Sequence, residues 1–168
     1  MPGYVIHLAV GKVYSKKNKI NNIEDFERGI IAPDLIGKKD KSKSHYGPNS
    51  CKPDLNLFLK TNNILTDYNE GYFLHLLTDH LFYNKFLKMW NPNIYEDYDI
   101  LNAGLIKKYG IILPEEIKDV VKFKSGNLNI LNKDEICAFI NSVGKIDIRK
   151  IVQGIEDIQR KITDEFEI

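Results

Sequence analysis

Cysteine, histidine and net charge are all scarce in this chain of 168 residues, and each scarcity excludes something. Cys51 and Cys137 stand far apart without a CxxC pair. They read as ordinary reduced thiols of a cytoplasmic protein. The formal net charge is only +1, so bulk charge points to no nucleic-acid or membrane partner. No apolar run approaches the length of a transmembrane segment. The first residues, MPGYVIHLAV, are apolar but lack a basic flank and a small-residue cleavage site, so no export signal is expected. Strand-like alternation, internal repeats, low-complexity tails and a domain boundary are likewise missing. Only four histidines occur, and none follows His80.

What remains is helical. Hydrophobic content of 43% and aromatic content of 11% suit one globular domain over residues 1–168. Residues 4–14 suit a short buried helix carrying His7. Residues 22–31 start with an asparagine cap and first-turn acids, and Ala32-Pro33-Asp34 should end that helix. Residues 37–53 are lysine-rich and flanked by glycine and proline, which predicts a loop. Asp54 should cap a helix to about Lys60. Residues 69–90 predict one long central helix stopped by Asn91-Pro92, and residues 95–109 another. Pro114 should open a helix over PEEIKDVVKF. Residues 133–143 and 147–163 continue the pattern, the last with an apolar stripe of Ile148, Ile151, Val152, Ile155, Ile158 and Ile162. The expected architecture is an all-α multi-helix bundle. Residues 1–90 would carry the site, residues 91–168 would support it, and the site would lie between the N-terminal and central helices.

The chemistry concentrates in five residues: His7, Asp34, His45, His75 and Asp79. In GYFLHLLTDHLFYNKFL, the polar groups at Gly71, His75, Thr78 and Asp79 fall on one helical stripe. An imidazole and a carboxylate on a buried stripe need a partner, and a metal ion is an economical one. His45 would complete three ligands from the loop. His7 could serve a second ion, with Asp79 bridging. Asp34, beside a helix-breaking proline, could ligate or act as general base. Gly11 and Gly71 lie one turn from the histidines and would leave room for an ion. His80 points roughly 100° away from the stripe and is not expected to ligate. Lys38, Lys39, Lys41 and Lys43 read as a solvated loop that could draw an anionic substrate towards His45. Tyr4, Tyr72, Phe73, Phe82, Tyr83 and Trp90 read mainly as core. Glu96, Asp97 and Asp99 read as an acidic helix start.

The order MPGYVIHLAVG, FERGIIAPDL, KSHYG, GYFLHLLTDH resembles the zinc-dependent phospholipase C family, whose broader fold includes fungal single-strand nucleases. The resemblance covers roughly the first 90 residues. It implies that His7 is the early metal ligand, that Asp34 is the base, and that His45, His75 and Asp79 bind a neighbouring zinc with Asp79 bridging. Family members use further histidines and a glutamate downstream; this chain has no histidine after His80, so one or two ions are implied. Their mature N-terminus also ligates metal; here that position is Met1-Pro2.

These observations predict a metal-dependent hydrolase that cleaves a phosphoester, a phosphodiester foremost, through a metal-activated water. Zinc is the expected ion, with manganese or iron able to use the same ligands. The substrate would be a small phosphoester or a phospholipid-like molecule. One alternative is an HD-type phosphohydrolase, although the adjacent pair here runs Asp79-His80. The other is a non-catalytic all-α scaffold or binding protein that keeps the fold.

Overall fold

Gly29 and Gly71 decide how the helices assemble. They lie where α2 (Ile23–Leu35) crosses α5 (Asp67–Leu81). A Cβ on Gly29 would overlap the carbonyl oxygen of Tyr68, and one on Gly71 that of Phe26. Two backbones approach so closely only where the side chain is missing. Gly11, on α1 (Tyr4–Lys17), is covered in the same way by the Ile30 side chain. The expectation that Gly11 and Gly71 open space for an ion is therefore wrong. Both positions are filled by α2.

The computed structural model describes residues 3–153 and 156–168, apart from the side chain of Lys38. All regular elements among the described residues are helical. α5 is the central element, buried along nearly its whole length from Glu70 to Leu81. It packs on α2, on α1 and on α4 (Leu55–Thr61). α1 packs in turn on α6 (Ile94–Tyr109) and α7 (Lys133–Gly144). Phe26, Ile30, Phe73, Leu74, Leu77, Phe82 and Phe139 are buried between them.

Local signals explain the helix starts. Asn22 caps α2 by accepting from Asp25 N at 3.1 Å, and Thr66 caps α5 by accepting from Asn69 N at 3.2 Å. Asp67 ties the two starts together, accepting from Asn22 N at 2.6 Å. Asp54 caps α4 as expected, accepting from Leu57 N at 2.8 Å. Behind the start of α5, buried Glu70 accepts from the Tyr14 hydroxyl. It also accepts from Arg149 Nε and Nη2 at 2.9 and 2.7 Å. Arg149 sits on the short α8 (Ile148–Ile151), so one carboxylate binds the C-terminal region to the centre.

Several expected boundaries move, each for a physical reason. α2 runs through Pro33 to Leu35. A proline in the last turn costs one internal bond, and external donors serve the end carbonyls. Lys41 Nζ donates to Pro33 O at 3.4 Å, and the Tyr4 hydroxyl to Asp34 O at 2.9 Å. The 37–53 loop contains a 3₁₀ turn (Lys38–Asp40) and a short α3 (Lys41–Ser44). α5 stops at Leu81 rather than running to residue 90, and a π turn follows (Phe82–Phe86). That wider turn sets both Phe82 and Phe86 against Phe139, at 5.6 and 4.8 Å between ring centroids. Trp90 falls beyond it and is 54% exposed, not core.

PEEIKDVVKF forms only a 3₁₀ turn (Glu115–Ile117). Its continuation is bonded to α6 instead, through Asn102 Nδ2 to Lys122 O (2.8 Å) and Lys124 N to Asp99 O (3.0 Å). Residues 147–163 form two pieces, α8 and α9 (Ile158–Glu165). Asp157 supplies the second start by accepting from Arg160 N at 3.1 Å. Ile155 of the expected stripe lies outside the described residues, as do Met1 and Pro2 and the side chain of Lys38. No helix among the described residues is long and apolar enough to cross a membrane.

Candidate metal centre

Four elements deliver the five residues singled out in the sequence. His7 comes from α1, Asp34 from the last turn of α2, His45 from the end of α3, and His75 and Asp79 from α5. All five are buried, and all five converge. His45 Nε2 lies 3.1 Å from Asp79 Oδ2 and 3.7 Å from Asp34 Oδ1. His75 Nε2 lies 3.4 Å from Asp79 Oδ2 and 3.9 Å from Asp34 Oδ1. The two Nε2 atoms are 3.4 Å apart. His7 Nε2 is 3.3 Å from the other Asp79 oxygen, and its ring stacks on His75 with centroids 3.8 Å apart.

The outer nitrogens of two histidines are anchored to backbone. His75 Nδ1–H donates to Ile30 O at 2.7 Å. His45 Nδ1 lies 3.1 Å from Lys41 O and 2.9 Å from Ser44 Oγ. A carbonyl oxygen only accepts, so Nδ1 of each ring carries a proton, and in the neutral ring the lone pair is on the inward-facing Nε2. Ligating histidines are oriented by outer partners of this kind. Further support comes from the Tyr72 hydroxyl, which donates to Ser44 O at 2.7 Å. It braces α3.

Two lone pairs 3.4 Å apart, both beside one carboxylate oxygen, call for a positive charge between them. The buried polar atoms have the same requirement. Both nitrogens of His7, both oxygens of Asp79 and Oδ2 of Asp34 make no aligned hydrogen bond among the described residues. The separations also suit an ion. Four ligands at roughly 2.0–2.1 Å around a tetrahedral centre stand about 3.3 Å from one another. Two overlapping triads qualify as ligand sets: His45 with His75 and Asp79, and His7 with Asp34 and His75. His75 belongs to both, but with Nδ1 given to Ile30 it has one nitrogen left. It can therefore serve only one ion at a time.

Electrostatics follow from burial and crowding. Burial, with His75 alongside, pushes the His7 pKa down to about 4 despite Asp79. Burial also acts to lower His75, but the charges of Asp34 and Asp79 outweigh it and the net shift is upward. Asp79 is held well below the usual carboxylate range; burial opposes this, and His75, His45 and His7 more than offset it. The Tyr4 hydroxyl is pushed up to about 12, by burial first and by the Asp34 charge second.

The other candidates go elsewhere. His80 Nε2–H donates to Thr163 Oγ1 at 2.6 Å, since the Thr163 hydroxyl itself donates to Gln159 O. It fastens α9 to α5 and points away from the centre, as its position on the helix predicts. Asp97 is buried but accepts four bonds, from Asn129 N and Nδ2, Ile130 N and Leu131 N, at 2.7–3.1 Å. Glu96 pairs with Lys124 at 3.3 Å. Two further groups border the centre that no motif in the sequence singles out. Lys41 Nζ lies 2.6 Å from Asp34 Oδ1. The Tyr98 hydroxyl is buried without an aligned partner among the described residues, with its pKa raised by burial and then by Asp79. The i,i+4 spacing of Lys41 and His45 was a usable signal for the first.

Comparison of the chain with family models, with curated proteins and with solved structures finds no match.

Proposed function

We propose that this chain is a metal-dependent hydrolase, with zinc as the ion, that cleaves a phosphoester and most readily a phosphodiester. On this reading it is a reduced relative of the zinc-dependent phospholipase C-like fold. The observation that carries the proposal is the inward convergence of His45 Nε2, His75 Nε2 and Asp79 Oδ2 within 3.1–3.4 Å of one another, with the outer histidine nitrogens tied to backbone. His45, His75 and Asp79 would hold the first ion. His7 and the second Asp79 oxygen offer two atoms toward another. A divalent ion bound there lowers the pKa of a water and neutralises charge on a phosphoryl oxygen.

The protein groups divide the remaining work. Asp34 Oδ2 is buried and free of hydrogen bonds among the described residues, so it can take the proton of an attacking water. The side chains of all five residues of the centre are 0% exposed, so bulk water is kept from them. Ile30 O and Lys41 O fix the ring orientations before substrate arrives.

Metal analysis of protein purified without a histidine tag should find about one to two zinc ions per chain, the number these ligands can complete. That protein should hydrolyse nitrophenyl phosphodiesters or monoesters and lose the activity to chelation. Protein that neither retains nor takes up zinc, manganese or iron would leave a polar core of a scaffold and end the hydrolase reading.

A further inference from the structure

Among the loop lysines whose side chains are described, Lys41 alone enters the centre. Lys39 is exposed, and Lys43 is 82% exposed and paired with Asp40 at 3.1 Å. Lys41 instead turns inward from the start of α3, and its ammonium lies 2.6 Å from Asp34 Oδ1 and 3.4 Å from Pro33 O. That Asp34 oxygen is itself 3.7 and 3.9 Å from the Nε2 atoms of His45 and His75. The ammonium is thus one oxygen removed from the metal-binding atoms.

Exposure orders the cluster from inside to outside. The side chains of His7, Asp34, His45, His75 and Asp79 are 0% exposed, whereas that of Lys41 is 14% exposed. Lys41 is therefore the partner of Asp34 that retains contact with solvent. Lys41 also has donors to spare, because an ammonium carries three N–H groups and two protein oxygens are within its reach.

Charge points the same way. Asp34 and Asp79 contribute two negative charges and Lys41 one positive, and a histidine that ligates a metal ion is neutral. One divalent ion then leaves the centre with a single positive charge, which a monoanion cancels. A phosphodiester is a monoanion. Without Lys41 the loaded centre would be neutral and would have no charge preference for such a group.

We infer that Lys41 is the oxyanion-receiving residue of this site: its ammonium, beside the metal, takes a non-bridging oxygen of a monoanionic phosphodiester. The inference rests on the metal-hydrolase reading above and adds to it a specific anion subsite. Lys41 O simultaneously anchors His45, so one residue couples anion capture to ligand geometry.

The test uses dimethyl phosphate, a monoanion, and trimethyl phosphate, its neutral analogue, titrated into zinc-loaded full-length protein and followed by NMR shifts of labelled amides. Zinc content is measured first in every protein. The unaltered chain should bind the anion about tenfold to a hundredfold more tightly than the neutral ester, the range of one charge-assisted bond. Lys41→Met should keep its zinc and lose that preference. Lys41→Arg should restore most of it, and Lys43→Met should leave it unchanged.

A Lys41→Met protein that retains zinc and still prefers the anion overturns the inference. So does equal loss of preference in Lys43→Met, which would reveal a diffuse field, or loss of zinc in Lys41→Met, which would make Lys41 a support of the ligands. Absence of zinc from the unaltered chain is seen before any ester is added. It would remove the hydrolase reading beneath, so the two failures are distinguishable.

Discussion

Asp79 and Asp97 are both completely buried carboxylates, yet exchanging each for asparagine should have opposite consequences. Asp97 holds a loop. Its Oδ1 accepts from Asn129 N and Nδ2, and its Oδ2 from Ile130 N and Leu131 N. An amide at that position keeps one oxygen and turns an NH₂ group towards two N–H donors, whichever way it flips. Two donors lose their acceptor and the other two lose charge assistance. At about 1–3 kcal/mol for each buried group left unsatisfied, Asp97→Asn should cost about 3–5 kcal/mol.

Asp79 accepts no aligned hydrogen bond, so an amide there forfeits none. An NH₂ group can even donate to the Nε2 lone pairs of His45 and His75. Asp79 is also one of the two carboxylates that raise the His75 pKa, so any proton held there leaves with the charge. Asp79→Asn should therefore destabilise chelator-treated protein less than Asp97→Asn does, its loss being the attraction of His75, His45 and His7 that holds Asp79 below the usual carboxylate range. The zinc response should reverse the ranking. Zinc at a thousand times its Kd adds about 4 kcal/mol to a protein that binds it only when folded. The unaltered chain and Asp97→Asn should gain that increment, and Asp79→Asn should gain little. Urea unfolding followed by circular dichroism, with chelator and then with zinc, measures all six quantities. Equal destabilisation of the two variants in chelator would refute the reasoning, because Asp79 would then be a hydrogen-bonded structural group.

Asp34→Asn should lower kcat by about a hundredfold to ten-thousandfold with metal content nearly unchanged; equal metal loss in Asp34→Asn and Asp79→Asn would make Asp34 a ligand. Gly71→Ala should cost more than about 3 kcal/mol in thermal unfolding, since its Cβ would collide with Phe26 O and outweigh the roughly 1 kcal/mol gain in helix propensity; a more stable variant would place the α2–α5 crossing elsewhere. Acid should unfold the protein partly through Asp97. Burial raises its pKa, but the bonds from Asn129, Ile130 and Leu131 lower it further, so the net shift is downward. A depressed carboxylate adds stability above its unfolded pKa of about 4, and that stability is lost as pH falls through the folded value. Asp97→Asn should therefore show a flatter stability–pH curve below about pH 4 than the unaltered chain, and an unchanged slope would deny Asp97 that part.

The helices were legible where local chemistry alone decides them, and were misread where a distant partner intervenes. Caps at Asn22 and Asp54 are written in neighbouring residues, and both form. The π turn at Phe82 answers to Phe139, more than fifty positions away, which no local window contains. The failed helix after Pro114 answers to Asp99 and Asn102 on α6. Pro33 misled in the same way, because the bonds that let α2 continue past it come from Tyr4 and Lys41. The site residues were legible because buried histidine and aspartate on an apolar stripe are costly unless they share a partner. Lys41 sits among lysines that face solvent, and its i,i+4 spacing to His45 singles it out once the segment is helical, as α3 is.

Gly71 shows how a correct signal can carry a wrong cause. It shares a stripe with His75 and Asp79, one turn before the first of them, and invites a reading as space for an ion. The space is taken by the backbone of α2 at Phe26. One turn further along α2 stands Ile30, whose carbonyl accepts from His75 Nδ1 at 2.7 Å. That distance requires the two helix axes to be close, and Gly29 with Gly71 is what permits the approach. The glycine therefore serves the site at one remove. It lowers one helix onto another so that a backbone oxygen fixes the proton on Nδ1 and leaves Nε2 facing Asp79. A larger residue at position 71 should lift α2 away from His75 as well as strain the crossing, so metal affinity and stability should fall together there, whereas at Asp79 they should separate.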